Sequence, residues 1–117
     1  GDLLFWPMIE TVAGVANADA IAQVPGVGGF YLGSSGDLSN SLGVPDATHP
    51  DVDVAMVKIL AVCEARNIPC GGTVNAANAA EKMKQGYRIV NFGGADGGLS
   101  GQNEAARSAA IAAGAQR

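Results

Sequence analysis

The sequence predicts an α/β chain built on a parallel sheet, and three observations predict it. Short apolar runs without strict alternation recur along the chain, as strands buried on both faces do. The segments between them are long enough for crossover helices joining parallel strands. Each run ends in a small residue or an acid, which gathers the working residues on one edge of the sheet.

Leu3 to Ile9 (LLFWPMI) is the first expected strand, although Pro7 inside it removes one ladder donor. Thr11 is placed to cap a helix from Val12 to Gln23, with Val12, Val15, Ala16, Ala20 and Ile21 mostly on one stripe. Val24-Pro25-Gly26 stops it. Gly28 to Leu32 is the second strand, followed by a glycine- and serine-rich turn, Gly33 to Gly43. A Pro-punctuated connector leads through His49-Pro50 into a long helix, Asp51 to Arg66. Its expected buried side is Val54, Val57, Ile59, Leu60, Val62 and Cys63, and Asn67 is expected to end it in a left-handed turn. Ile68 to Thr73 is a third strand, weakened by Gly71 and Gly72. A helix begins at Asn75 or Asn78 and stops at Gly86; Arg88 to Phe92 is the fourth strand; and an Ala-rich helix spans Asn103 to Ala113.

Strand and helix thus alternate four times in 117 residues, half of the eight units that a closed barrel of roughly 250 residues needs. An open half has two unpaired edges. Gly1-Asp2 also leads straight into an apolar run. Residues 1–117 are therefore expected to be the C-terminal half of one larger domain, closed by its own N-terminal half or by another chain.

Composition narrows the function. A formal charge of −4 with no basic run argues against nucleic acid, and no apolar run is long enough to span a membrane. Aromatics are only 5% of residues, so the core must be built from Ala, Val, Ile and Leu. Cys63 and Cys70 are seven apart, which matches no metal-ligand spacing, and two buried reduced thiols in a cytoplasmic protein are expected.

The chemistry concentrates in two acids. Glu10 ends the first apolar run, and Asp37 follows the second inside GSSGDLSNSLG. Carboxylates at the carboxyl ends of successive parallel strands point into one crevice. Hard oxygen ligands suit Mg²⁺, Mn²⁺ or Co²⁺. The small residues Gly33 to Gly36 suit a backbone cradle for an anion. The competing reading makes both acids helix caps or solvated loop residues.

At PMIET, VPGV, LGSSGDLSNSLG and HPDV, with GYRIVNFGG for the last strand, the chain resembles the C-terminal half of the HpcH/HpaI class II pyruvate-dependent aldolases. These belong to the phosphoenolpyruvate/pyruvate-binding barrel superfamily, with citrate lyase β subunits. The resemblance implies a (β/α)8 TIM barrel, of which this chain is the (βα)4 C-terminal half. It implies a lyase that cleaves or forms a C–C bond in 4-hydroxy-2-oxo acids, giving pyruvate and an aldehyde. Glu10 and Asp37 are then metal ligands, and Gly33, Ser35, Gly36 and Asp37 bind the substrate carboxylate through their backbone. The family's acid/base His and substrate-contacting Arg fall in the absent half. A homo-oligomer is implied. Two turns, at Gly33–Asp37 and Gly93–Gly98, are one residue longer than the family pattern. The alternatives are an inactive fragment or assembly subunit, and a lyase of the citrate lyase type acting on acyl-CoA thioesters.

The remaining polar residues carry weaker claims. His49, the only histidine, precedes Pro50 at a helix start and is expected to be structural or exposed. Asp96 is expected to cap the last helix, and Asn75 and Asn91 are edge residues. Ser34, Ser35, Ser39 and Ser41 have no histidine nearby to activate them, and Ser39 is expected to cap or orient the turn.

Overall fold

The computed structural model describes residues 4–33, 35–92 and 101–114. The elements are α1 (Val12–Ala22), β1 (Phe30–Leu32), α2 (Ser35–Leu42), α3 (Pro50–Arg66), β2 (Cys70–Val74), α4 (Ala79–Gln85), β3 (Ile89–Phe92) and α5 (Gly101–Gly114). The chain divides into two compact units, Gly1–Cys70 and Gly71–Arg117. Among the described residues no helix is long and apolar enough to cross a membrane.

In the first unit α1, α2 and α3 pack on one another. Thr11 caps α1 as expected, its Oγ1 accepting from the Gly14 amide at 2.9 Å. His49 caps α3 through Nδ1, which accepts from the Asp51 amide at 3.2 Å, with Pro50 at the first helical position. His49 is thus structural. Asn67 ends α3 at φ 53°, the left-handed turn expected of it. Arg66 clasps Asp19 of α1 with two hydrogen bonds of 2.7 Å.

Four expectations need correction here. The buried side of α3 is Val52, Ala55, Met56, Ile59, Leu60 and Cys63, a regular i, i+3, i+4, i+7 stripe. Val54 and Val57 lie off that stripe and are 54% and 59% exposed, so apolar character alone misplaced them. On α1 only Ala18 is fully buried, and Ala16 and Ala20 are exposed. The first expected strand is not a continuous ladder. Among its described residues it makes isolated parallel bridges, Phe5 to Val27 and Met8 to Tyr31, because Pro7 has no amide to donate. Nor is it covered on both faces: Ile9 is buried, but Leu4, Phe5 and Met8 are each more than half exposed. Finally, Cys63 and Cys70 are paired as a disulfide rather than reduced. The left-handed turn at Asn67 folds the chain back so that their Cα atoms stand 6.0 Å apart, within the span a disulfide bridges.

The two bridges are spaced unequally. They are three residues apart on one segment and four on the other. One extra residue is therefore absorbed between Val27 and Tyr31, at Gly28-Gly29. This is a bulge, a feature rare in parallel pairs. Glycine is needed there. A Cβ on Gly29 would overlap the Pro69 carbonyl, which accepts from the Phe30 amide at 3.2 Å.

In the second unit β2 pairs in parallel with β3, with Gly71 opposite Ile89 and Thr73 opposite Asn91. A side chain on Gly71 would overlap the Ile89 carbonyl, which explains a residue of poor strand propensity there. Asn78 begins α4, and Asn75 holds the turn before it. Asn75 Oδ1 accepts from the amides of Ala77 and Asn78, and Asn78 Oδ1 accepts from the Asn75 amide. Gly86 closes the helix at φ 121°. α4 packs on α5, where Ala110 and Ala113 are buried. Asp96 and the turn Gly93–Gly98 lie outside the described residues.

Candidate active site

Glu10 is fixed from both sides. Before it, the Ile9 amide donates to the Tyr31 carbonyl at 3.2 Å, and the buried Ile9 side chain pins the backbone. After it, two of the free amides that open α1 are taken. Thr11 Oγ1 accepts from Gly14, and Ser41 Oγ of α2 accepts from Val12 at 3.0 Å. Ser41 thus ties the acid's segment to the next helix. Nothing local signals this contact, which spans 29 residues.

The Glu10 side chain lies over Gly33. A Cβ built at Gly33 would come within 2.7 Å of Glu10 Cγ and closer still to its carboxylate. Gly33 is therefore the space that the acid occupies. Among the described residues, Glu10 has no hydrogen-bond or ion-pair partner. A half-buried carboxylate without a protein partner is costly unless something positive meets it.

Gly33 leads into α2. The stretch expected as an open turn is a helix, Ser35–Leu42. Ser39 supports it rather than breaks it: itself buried, it donates from Oγ to the Gly36 carbonyl at 2.8 Å, and Leu38 is fully buried beneath. Ser35 and Gly36 open the helix and Asp37 stands in its first turn, where the helix end favours negative charge. The amides of Ser35, Gly36 and Asp37 are in the first turn, which lacks intrahelical acceptors. The residues expected to cradle an anion are thus the start of a helix. Ser34 lies outside the described residues. Asp37 is exposed and engaged in a contact of its own.

Glu10, with the room that Gly33 leaves beside it, is a hard oxygen donor of the type a divalent cation takes, and Asp37 is a second carboxylate, in the first turn of α2. No group of three or more His, Cys, Asp or Glu residues that could hold a metal occurs among the described residues. A cation here would need ligands from substrate and water.

Residues 2–101 match the HpcH/HpaI aldolase/citrate lyase family. The chain belongs to this family. Over 87 residues it is 45% identical to the 5-keto-4-deoxy-D-glucarate aldolase of Salmonella newport (strain SL254), covering 73% of this chain and 34% of that protein. Its fold resembles an HpcH/HpaI aldolase/citrate lyase family protein from Burkholderia cenocepacia J2315, at TM-score 0.68 and 33% identity over 73% of this chain and 34% of that one. It also resembles macrophomate synthase, at TM-score 0.70 and 28% identity over 97% of this chain and 40% of that one. The α/β class with parallel strands stands, and the relatives are lyases of the aldolase type. The chain spans about a third of the length of the curated HpcH/HpaI relatives it matches.

Proposed function

We propose that this chain is the C-terminal half of a barrel-type aldolase that cleaves or forms a C–C bond in hydroxylated 2-oxo acids, giving pyruvate and an aldehyde. The observation that carries the reading is the Glu10 carboxylate, seated over Gly33 with no protein partner among the described residues. Glu10 and Asp37 would hold a divalent cation of the Mg²⁺, Mn²⁺ or Co²⁺ type. When bound, such an ion supplies Lewis-acid stabilisation of the negative charge that develops beside the ketone during cleavage. The chain's own residues do the rest. The Ser35, Gly36 and Asp37 amides orient the substrate carboxylate, and Ser41 and Thr11 keep Glu10 in register with them. The proton donor and the second half of the barrel come from the N-terminal part of the same polypeptide or from another chain, within a homo-oligomer. Similarity to a 5-keto-4-deoxy-D-glucarate aldolase supports a polyhydroxylated acid as the substrate. The reading keeps the protein in the cytoplasm. There the thiol pool opposes the Cys63–Cys70 bond, which then describes the oxidised chain.

The test is pyruvate release by the full polypeptide with added Mn²⁺. Glu10→Gln and Asp37→Asn should each lower metal-dependent release at least about a hundredfold, since each removes a charged metal ligand. Retained activity in either variant overturns the reading. A second reading follows from the family's own description, which joins citrate lyase to the aldolases: a lyase acting on an acyl-CoA thioester. Cleavage of a free hydroxy-oxo acid without any thioester decides against it.

A further inference from the structure

We propose that Tyr31 is a specificity-determining residue: its ring closes the floor of the site below Glu10 and limits the size of the 2-oxo acid held there. This rests on the aldolase reading above. Register comes first. Tyr31 is the parallel bridge partner of Met8, with its amide donating to the Pro7 carbonyl at 3.0 Å and its carbonyl accepting from Ile9. Bridge partners share a face, and residues two apart share a face. Met8, Glu10, Tyr31 and Gly33 therefore form one face. The contact between Glu10 and Gly33 is what that register requires.

Burial agrees. Ile9, Phe30 and Leu32, on the opposite face, are all buried, whereas Tyr31 is only partly so and Met8 is open. The bulge at Gly28-Gly29 is what assigns Tyr31 to its side. By plain alternation Val27 and Tyr31, four apart, would face the same way; the bulge sets Tyr31 opposite Val27, as Met8 is opposite Phe5.

Distance completes the argument. One two-residue repeat, about 6.7 Å, separates Tyr31 from Gly33. An aromatic side chain spans that gap. Gly33 offers no side chain of its own, so the first β1 side chain below a ligand held at Glu10 is the Tyr31 ring. A bulkier substituent on the oxo acid meets that ring. A pocket wall of this kind separates ligands differing by one methylene by about ten- to two-hundredfold.

The experiment measures binding of pyruvate and 2-oxobutyrate to the full polypeptide at saturating Mn²⁺, and of Mn²⁺ itself. Wild type should prefer pyruvate. Tyr31→Leu should lower the preference at least about tenfold, and Tyr31→Trp should raise it. Mn²⁺ affinity should stay within about twofold, because neither change touches a metal ligand. Unchanged preference in the folded variants, with Mn²⁺ bound normally, overturns the inference and leaves the aldolase reading intact. Equal wild-type affinity for the two acids also overturns it. Wild type that binds neither Mn²⁺ nor pyruvate overturns both. If Tyr31→Leu does not fold, Tyr31→Trp decides alone.

Discussion

Gly33 and Gly71 stand in different units, each beside a crowded neighbour, and what crowds them differs. At Gly33 the neighbour is the side chain of Glu10, which can swing aside. At Gly71 it is the carbonyl and Cα of Ile89 on the paired strand, the Cα 3.0 Å from an added Cβ, and backbone cannot yield without breaking the ladder. Neither glycine has a positive φ, so an alanine would be strained by contact and not by torsion. The same substitution should therefore unfold one unit and disarm the other. One glycine makes way for a neighbouring strand's backbone, and the other for an acid's side chain.

Substitutions at these two positions break the comparison most directly. Gly71→Ala should cost the larger amount, about 3 kcal/mol, at the upper end of ordinary overpacking. A urea midpoint followed by far-UV circular dichroism would reveal it, and an unchanged midpoint would refute the backbone argument. Gly33→Ala should leave that midpoint nearly unmoved and weaken Mn²⁺ binding about tenfold by displacing the Glu10 carboxylate. Titration with Mn²⁺ checks this. Lost stability with normal metal binding would make Gly33 structural, as Gly71 is.

The smallest effect belongs to the surface of the first unit. The Arg66 guanidinium bonded to Asp19 holds that carboxyl below its usual range. A depressed carboxylate stabilises the fold at pH values above its ordinary range, and the contribution disappears as pH falls through its lowered value. Asp19→Asn should therefore reduce stability slightly at neutral pH and flatten the acid side of the stability profile. The difference should shrink in salt, since the pair is exposed. An acid limb identical to wild type would show that the clasp contributes nothing.

Much of this was legible in the sequence. The caps at Thr11, the stop at Asn67 and Gly86, the helix start at His49-Pro50 and the parallel α/β class all follow from local chemistry, because the residues that decide them are within a few positions of one another. The acid at Glu10 was legible for the same reason. What was not legible depends on distant partners. Ser41 reaches back to Val12, Gly29 makes way for Pro69, and Cys63 meets Cys70 only once the turn at Asn67 is formed. The helix at Ser35–Leu42 was hidden by its composition. Serine, asparagine and glycine read as a turn, and only burial of Leu38 and Ser39 reveals a helical side. Tyr31 was overlooked because an aromatic inside a short apolar run looks like core until the register is known.

The extra residue at Gly28-Gly29 is slack that the pairing can do without. Deleting one glycine would leave the two bridges three residues apart on both segments, so that Phe5 keeps Val27 and Met8 keeps Tyr31. The slack lies where the Pro69 carbonyl crowds the backbone at Gly29. The strand therefore yields to its next neighbour at that point without moving Tyr31 or Gly33 off the side of Glu10.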